Sequence, residues 1–229
     1  MKAIILAAGQ GTRLRPLTDH IPKAMVEYRG LPILWHVVNA LKLSGIDDIC
    51  VVTGYCCDSI TVEHQVQLIY NERYSCTNMV DSLLLAMTDC QEDILVSYSD
   101  IIYNSDLVRK LLRDDHLIAI TADSNWEWLW EKRFEDPLSD AETFNYNSDN
   151  ILTEIGNKPS SLDQIKGQYM GLFKIKKEAL PIFKSYAENG FSSMTKLLSE
   201  IKDNIPISIV WTHGGWLEVD QLTDLDIVI

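Results

Sequence analysis

The chain has 229 residues, of which 46% are hydrophobic and 23% charged, and its formal net charge is −13. This length fits one domain with a sizeable core, and the acidic balance disfavours nucleic acid or an anionic membrane as the main partner. No apolar run approaches the roughly 18 residues that a membrane-spanning helix needs. Five cysteines without paired zinc-type spacing fit a reducing cytoplasm better than a disulfide framework.

Strand-like and helix-like segments alternate over the first 125 residues. Apolar runs rich in β-branched residues predict strands at KAIILAA, DICVVTG, DILVSYSD and LIAITAD. Amphipathic runs between them predict helices at ILWHVVNALKLSG, DSLLLAM and DLVRKLLRD. This alternation is typical of an α/β protein with a mostly parallel, helix-covered sheet, whose ligands bind at the carboxyl ends of the strands.

The second half of the chain begins with a different composition. Residues 124–150 are rich in tryptophan, acidic residues and turn formers. The tryptophans at spacing two are interpreted either as a strand or loop packed on the core, or as aromatic faces that attract an ammonium group. Beyond them we predict strands at ILTEIG, GQYMGLFKI and ISIVW, and helices at ALPIFKSYAENG and SSMTKLLSEI. With no linker or repeat, residues 1–229 are expected to form one domain.

A glycine-rich loop follows the first predicted strand. It lacks the third glycine of a dinucleotide fingerprint and the GxxxxGK pattern of a Walker loop. Backbone N–H groups beside Gly9 and Gly11 can approach a phosphate, while Arg13 and Lys23 supply positive charge. The residues alone leave open a tight turn whose Arg and Lys are solvated.

The run LAAGQGTRLRPLTDHIPKAM, followed by Pro32-Ile33, resembles the signature of the sugar-phosphate nucleotidylyltransferase superfamily. The resemblance implies a three-layer α/β/α, mostly parallel, GT-A-like (Rossmann-like) fold. Residues 1–125 would form its nucleotide-binding part, and residues 126–229 would bind the acceptor and complete the sheet. Arg13 and Lys23 would be catalytic, stabilising the triphosphate and the transferred phosphorus. The implied nucleotide-binding residues are Leu6, Ala8, Gly9, Gly11, Thr12, Arg13, Lys23, Thr77, Asn78, Ser82 and Ser99.

Carboxylates near two predicted strand ends suggest a metal site. Nucleotidyl transfer depends on neutralising negative oxygens, which a magnesium ion bound by one or two carboxylates achieves. Asp100 follows a predicted strand, and Glu218 and Asp220 share one face of an extended segment. SYSDIIY and WLEVDQLTDL also resemble the family's metal-binding elements. We therefore expect Mg²⁺ on Asp100 and Asp220, and Glu218 near the acceptor.

One segment points to a branch of this superfamily. NERYSCTNMVDSLL departs from the Gly-Thr-Ala element of sugar-specific members and resembles the cytidylyltransferases that activate phosphocholine and related compounds. On that likeness Thr77, Asn78 and Ser82 would contact the cytosine and ribose of CTP, since their amide and hydroxyl groups suit a pyrimidine edge. The alternative is that Asn78 and Ser82 cap the following helix.

The acceptor site is expected in the second half. EIGNKP, residues 154–159, resembles the superfamily's E-K-P element, which assigns Lys158 to the acceptor phosphate, and Tyr169 lies on the strand that follows. Arg133 could clamp a phosphate or carboxylate. Arg133, Lys158, Tyr169 and Glu218 are thus the predicted acceptor residues. Phosphocholine, aminoethylphosphonate, a phosphorylated amino acid or amide, and phosphonoformate-like acids all stay open as acceptors.

These features predict a cytoplasmic, CTP-dependent cytidylyltransferase that acts on a small phosphate or phosphonate and releases pyrophosphate. One alternative is a sugar-1-phosphate nucleotidylyltransferase using UTP or dTTP. Another is a non-catalytic nucleotide-binding regulatory subunit, which the retained Arg13, Lys23, Asp100 and Asp220 disfavour. A homodimer stays open.

Overall fold

The computed structural model describes all 229 residues, Met1–Ile229. Its thirteen strands are β1 Lys2–Ala7, β2 Glu27–Tyr28, β3 Leu31–Pro32, β4 Asp48–Thr53, β5 Gln67–Tyr70, β6 Ile94–Tyr98, β7 Ile101–Ile102, β8 Ile118–Asp123, β9 Phe144–Tyr146, β10 Leu152–Ile155, β11 Gln168–Ile175, β12 Ile207–Thr212 and β13 Leu217–Glu218. Its six α-helices are α1 Ile33–Lys42, α2 Met79–Ala86, α3 Ser105–Arg113, α4 Trp126–Arg133, α5 Leu180–Ala187 and α6 Met194–Ile201. None of these helices has the length and apolar character needed to cross a membrane.

Seven strands form the central sheet, in the order β12-β8-β11-β6-β1-β4-β5. Strand β11 runs antiparallel to its neighbours β6 and β8, and every other adjacent pair is parallel. Three short two-stranded ladders, β2-β3, β7-β13 and β9-β10, lie outside it. The mostly parallel α/β sheet predicted from the sequence is confirmed, and both halves of the chain contribute strands to it.

Helices cover both faces of the sheet. Alternate residues of β1 enter two separate cores, because successive side chains of a strand point to opposite faces: Ile5 joins one core, and Ile4 joins the other. Helices α1, α3 and α4 supply buried side chains to the first core, and α2, α5 and α6 supply them to the second. The result is the expected three-layer α/β/α arrangement.

The tryptophan-rich segment is a helix, so its interpretation as a strand or loop is wrong. Trp126, Leu129 and Trp130 of α4 are at most 4% exposed, whereas Trp128 is 40% exposed. Spacings of three and four residues place the buried side chains on one face of a helix. Trp130 packs against Trp126 and against Trp216, with 6.2 Å between ring centroids in each pair. The tryptophans therefore do pack on the core, as the sequence allowed, but from a helical backbone.

Candidate active site

Strand register brings three acidic residues together at the carboxyl edge of the sheet. Leu6 of β1 is opposite Tyr98 of β6, so the glycine loop and Asp100 leave the sheet side by side. Glu218 of β13 pairs with Ile101 of β7, and the Val219 N–H donates to the Asp100 carbonyl at 2.9 Å. One carboxylate oxygen each from Asp100, Glu218 and Asp220 lies within 4.8 Å of the others.

Two cations from the first 25 residues reach this cluster. The Lys23 ammonium donates to Asp100 Oδ2 at 2.7 Å and also to Asp220 Oδ1, and Arg13 Nη2 lies 2.9 Å from Asp220 Oδ1. The Lys23 side chain is only 13% exposed, whereas that of Arg13 is 62% exposed. Burial disfavours the Lys23 charge, but Asp100 and Asp220 outweigh it and raise the pKa of Lys23. Lys23 is therefore a largely buried cation, which excludes the solvated alternative for Lys23, whereas Arg13 stays mostly exposed.

The glycine loop packs directly on Lys23. Gly11 has φ of 63°, a left-handed conformation that favours glycine, and a Cβ built there would lie 2.7 Å from Lys23 Cβ. The Thr18 hydroxyl donates to the Gly11 carbonyl at 2.8 Å and fixes the turn. The second loop glycine is thus required by close packing against the lysine stem.

The three carboxylates fit a divalent cation. Asp100 Oδ1 is buried and has no hydrogen-bond partner, so one of its oxygens is free for a ligand. Burial would raise the pKa of Asp220, but Lys23 and Arg13 hold it below its usual range. Burial and the neighbouring Asp220 raise the pKa of Glu218 to about 7. Asp100 and Asp220 were the predicted ligands, and the structure places Glu218 with them.

Arg133 was predicted to bind the acceptor, but the structure places its guanidinium fully buried behind the carboxylates. Its side chain is 0% exposed, with Nη1 2.8 Å from Glu218 and Nη2 3.3 Å from Asp220. Its carbon Cζ lies 4.8 Å above the centre of the Trp130 ring. All of its charge is directed to the protein's own acidic groups, so Arg133 positions Glu218 and Asp220 instead.

Asp224 completes this buried arrangement. Its carboxylate is 0% exposed, lies 3.3 Å from Arg133 Nε, and accepts the backbone N–H groups of Asp220 and Gln221 at 2.7 and 3.0 Å. These bonds hold the chain that carries Asp220. Asp224 was missed as a functional residue, although the run WLEVDQLTDL contains it as the second aspartate.

A cavity of about 220 Å³, the glycine-loop cavity, lies beside the cluster. Tyr74, Met79 and Tyr98 line it and were not predicted. Tyr74 stands in the quoted segment NERYSCTNMVDSLL, which offered a signal for it. The other residues that line the glycine-loop cavity were all predicted to bind the nucleotide or the metal: Leu6, Ala8, Gly9, Lys23, Thr77, Asn78, Ser82, Ser99 and Asp100.

Hydrogen bonds organise the wall of this cavity. The buried Asn71 amide donates to Thr77 Oγ1 at 3.0 Å and to Ser82 Oγ at 3.1 Å. Asn78 Oδ1 accepts the Val80 N–H at 2.7 Å, and its Nδ2 donates to the Phe191 carbonyl at 3.0 Å. The helix-capping alternative is therefore confirmed for Asn78, and the base contacts of Thr77, Asn78 and Ser82 stay a prediction.

Two further spaces adjoin the cluster. The carboxylate cleft is lined by the remaining predicted nucleotide residues Gly11, Thr12 and Arg13, together with the three carboxylates. The Tyr169 cavity, about 260 Å³, is lined by Tyr169 and Glu218, as predicted for the acceptor. The cleft shares Lys23 and Asp100 with the glycine-loop cavity. It shares Arg13, Glu218 and Asp220 with the Tyr169 cavity, so it adjoins both.

Lys158 lies outside all three spaces. Its ammonium is exposed and donates to the carbonyls of Leu138 and Ser139, the latter at 2.9 Å. It therefore borders the segment before Asp140, a lining residue of the Tyr169 cavity, without lining the cavity itself.

A glycine loop, two cations and a carboxylate cluster at the edge of a three-layer sheet define a nucleotidyltransferase. Residues 3–189 match the family model of the MobA-like NTP transferase domain, and the chain belongs to that family. The nucleotidyltransferase resemblance drawn from the sequence is confirmed.

Two curated relatives and two solved structures show the likeness further. The chain is 37% identical to CTP:phosphoglutamine cytidylyltransferase of Campylobacter jejuni over 100% of this chain and 99% of the relative. It is 33% identical to choline-phosphate cytidylyltransferase of Streptococcus pneumoniae over 56% of this chain and 58% of the relative. The structure of CTP:phosphocholine cytidylyltransferase from Streptococcus pneumoniae superposes with a TM-score of 0.73 at 21% identity, covering 98% and 96% of the two chains. That of inositol-1-phosphate CTP transferase from T. maritima gives 0.77 at 19% identity, covering 97% and 90%.

Proposed function

We propose that this protein is a CTP-dependent cytidylyltransferase that transfers CMP to a small phosphorylated or phosphonylated acceptor and releases pyrophosphate. The observation that carries the proposal is that the carboxylate cleft adjoins both the glycine-loop cavity and the Tyr169 cavity. Such a placement suits a reaction in which two ligands meet at charged groups. The choice of CTP is supported by the full-length similarity to a CTP-using relative.

In the proposed reaction, an oxygen of the acceptor phosphate attacks the α-phosphorus of CTP. The bond from that phosphorus to the oxygen bridging it to the β-phosphate breaks, and pyrophosphate leaves with the electron pair. No general base is required, because a phosphate with a second pKa of about 6 is largely ionised at neutral pH. Lys23 and Arg13 stabilise the negative oxygens, and Lys23 stays protonated because its pKa is raised.

We propose Mg²⁺ as the metal, held by Asp100 and Asp220 with Glu218 beside them. A bound Mg²⁺ would supply positive charge to the triphosphate oxygens. The orphaned Asp100 Oδ1 supports this assignment. Arg133 and Asp224 hold the carboxylate-bearing chain in place from the buried side.

The glycine-loop cavity would take the nucleotide and the Tyr169 cavity the acceptor. Thr77, Asn78 and Ser82 would then face the base and ribose, and Tyr169 and Glu218 would face the acceptor. Lys158 would contribute only as an exposed cation beside residues 138–140, of which Asp140 lines the Tyr169 cavity. Five free cysteines support a reducing cytoplasm as the site of action.

Pyrophosphate release with Mg²⁺ tests the proposal, using CTP, UTP, dTTP, ATP and GTP against a panel of acceptors. The panel is phosphoglutamine, phosphocholine, 2-aminoethylphosphonate, inositol phosphate and glucose-1-phosphate. We expect turnover with CTP and at least one non-sugar acceptor. Turnover confined to UTP or dTTP with glucose-1-phosphate would assign the protein to the sugar branch. No pyrophosphate release with any pair of nucleotide and acceptor would refute catalysis.

A variant pair tests the site itself. Asp100→Asn is expected to abolish turnover in a folded protein, as judged by circular dichroism. Asp106→Asn serves as the control, because that carboxylate is 76% exposed on α3 and pairs only with Arg109. Near-normal magnesium-dependent turnover in Asp100→Asn would contradict the metal assignment.

A further inference from the structure

The amide of the buried Asn71 acts as a donor towards two hydroxyl groups. Asn71 directly follows β5, and its Oδ1 accepts the Arg73 N–H at 3.0 Å. That bond fixes the orientation of the amide, because the reverse orientation would set one N–H donor against another. The Asn71 Nδ2 therefore donates one hydrogen to Thr77 Oγ1 and the other to Ser82 Oγ.

The hydroxyl hydrogen of Thr77 is engaged as well. Thr77 Oγ1 lies 2.8 Å from the carbonyl oxygen of Arg73. Two oxygen atoms at this distance need a hydrogen between them, and only the threonine has one to donate. The hydroxyl thus donates to Arg73 and accepts from Asn71. Since a hydroxyl group has one hydrogen and two lone pairs, a single lone pair is left for a ligand.

Ser82 repeats this arrangement deeper in the same wall. It is 3% exposed, and its Oγ accepts from Asn71 and donates to the Asn78 carbonyl at 3.2 Å. Thr77 is half-buried instead, and it lines the glycine-loop cavity. Neither hydroxyl has a hydrogen to offer, so Thr77 presents only an acceptor to a ligand in this cavity.

We propose that Thr77 distinguishes cytosine from uracil, because its hydroxyl accepts a hydrogen bond from the exocyclic amino group of cytosine. That amino group is the only donor of the cytosine base, whereas uracil has an oxygen at the same position, which would face the Thr77 lone pair. Asn71 does not line the cavity and serves as a positioning residue for Thr77. The inference rests on the proposed use of CTP and names the residue that selects it.

Nucleotide binding without an acceptor tests this role, by calorimetric titration of CTP and of UTP, each with Mg²⁺. Thr77→Val removes the hydroxyl at nearly constant volume. The Kd for CTP is expected to rise about 2- to 10-fold, the loss of one hydrogen bond, while the Kd for UTP stays the same or falls. Thr77→Ser keeps the hydroxyl and should keep the preference for CTP. The control is Thr88→Val, since Thr88 is exposed and its hydroxyl donates to carbonyls of α2.

A double variant tests the positioning role of Asn71. Asn71→Ala should reduce the preference for CTP over UTP, by less than Thr77→Val does. Added to Thr77→Val, it should not change the remaining preference, because the residue through which it acts has already lost its hydroxyl. A further loss of preference in the double variant would overturn the positioning role.

The outcomes separate this inference from the proposed reaction. A preference for CTP that Thr77→Val removes supports the role of Thr77 even if no CMP is transferred, in which case only the reaction is wrong. CMP transfer by a Thr77→Val enzyme that still prefers CTP would overturn the role and leave the reaction standing.

Three other results would also overturn the role of Thr77. Equal weakening of CTP and UTP in Thr77→Val would indicate a contact with the ribose or a general defect. A wild-type preference for UTP that Thr77→Val removes would show that the hydroxyl accepts the ring N–H of uracil. Absence of binding by both nucleotides would remove the base from this cavity altogether.

Discussion

Replacing Arg133 with methionine would leave a buried carboxylate without its cation. The guanidinium contacts Glu218, Asp220 and Asp224, and both its own side chain and that of Asp224 are 0% exposed. Removing one partner of a buried ion pair costs about 3–5 kcal/mol, because the remaining charge is neither hydrated nor compensated. For a chain of this size that cost lowers the midpoint of thermal unfolding by roughly 6–20 °C.

The free energy of unfolding would be measured by urea denaturation followed by circular dichroism. Lys132→Met is the matched control, since the neighbouring Lys132 is exposed and only covers the half-exposed Trp128 ring at 5.1 Å. We expect the control to change stability by less than about 1 kcal/mol. Arg133→Lys keeps the charge but cannot reach three carboxylates from one nitrogen, so an intermediate loss is expected.

A double variant decides whether the cost comes from the ion pair. If Asp224→Asn is added to Arg133→Met, the uncompensated charge on Asp224 is removed, and the two losses should be less than additive. A loss below about 1 kcal/mol in Arg133→Met, matching Lys132→Met, would refute the view that this guanidinium compensates the acidic cluster.

Three further predictions concern catalysis, packing and pH. Lys23→Met should lower the maximal rate of CMP transfer about 10²- to 10³-fold in the pyrophosphate assay, and a change in CTP affinity alone would contradict its role. Gly171→Ala should destabilise the fold by about 1–3 kcal/mol in urea, because the new Cβ would collide with Tyr98 Cδ2. Gly190→Ala, with the same φ of 82° and no atom within 4 Å, should cost less. Since the pKa of Glu142 is raised by burial, lowering the pH through that pKa removes its charge. Because burial penalises the charged form in the folded protein, the free energy of unfolding in urea should gain a contribution as the pH falls through that pKa, and Glu142→Gln should lack this contribution. The same pH dependence in both proteins would contradict the reasoning.

The sequence predicted correctly those features for which a residue pattern has a single physical explanation. The apolar runs gave the strands of the sheet, since buried parallel strands need continuous hydrophobic residues. Asp100 was placed correctly because any residue that follows such a strand emerges at its carboxyl end. Likewise, the loop glycines and Lys23 line one cleft, as the loop pattern and the family resemblance led us to expect.

The direction in which a side chain points could not be predicted from the sequence. An arginine can face a ligand or the interior, and only the packing of α4 on Trp216 shows that Arg133 points inward. Tryptophans at spacing two are compatible with a strand. In the structure, Trp126, Leu129 and Trp130 instead form the buried face of a helix. Lys158 was assigned through an imperfectly spaced motif, and in the structure its ammonium binds nearby carbonyls.

The position of Lys23 between Asp100 and Asp220 has a consequence for how a divalent ion would enter. The lysine acts as a tethered counter-ion that keeps the two carboxylates from repelling each other before any substrate arrives. An incoming metal would therefore have to exchange with this ammonium rather than simply add to vacant anions. The exchange would become favourable if a triphosphate entered with the metal, because its oxygens would offer the displaced ammonium a new anionic partner. Nucleotide binding and metal binding would thereby be coupled, and metal without nucleotide would compete against a cation that cannot diffuse away.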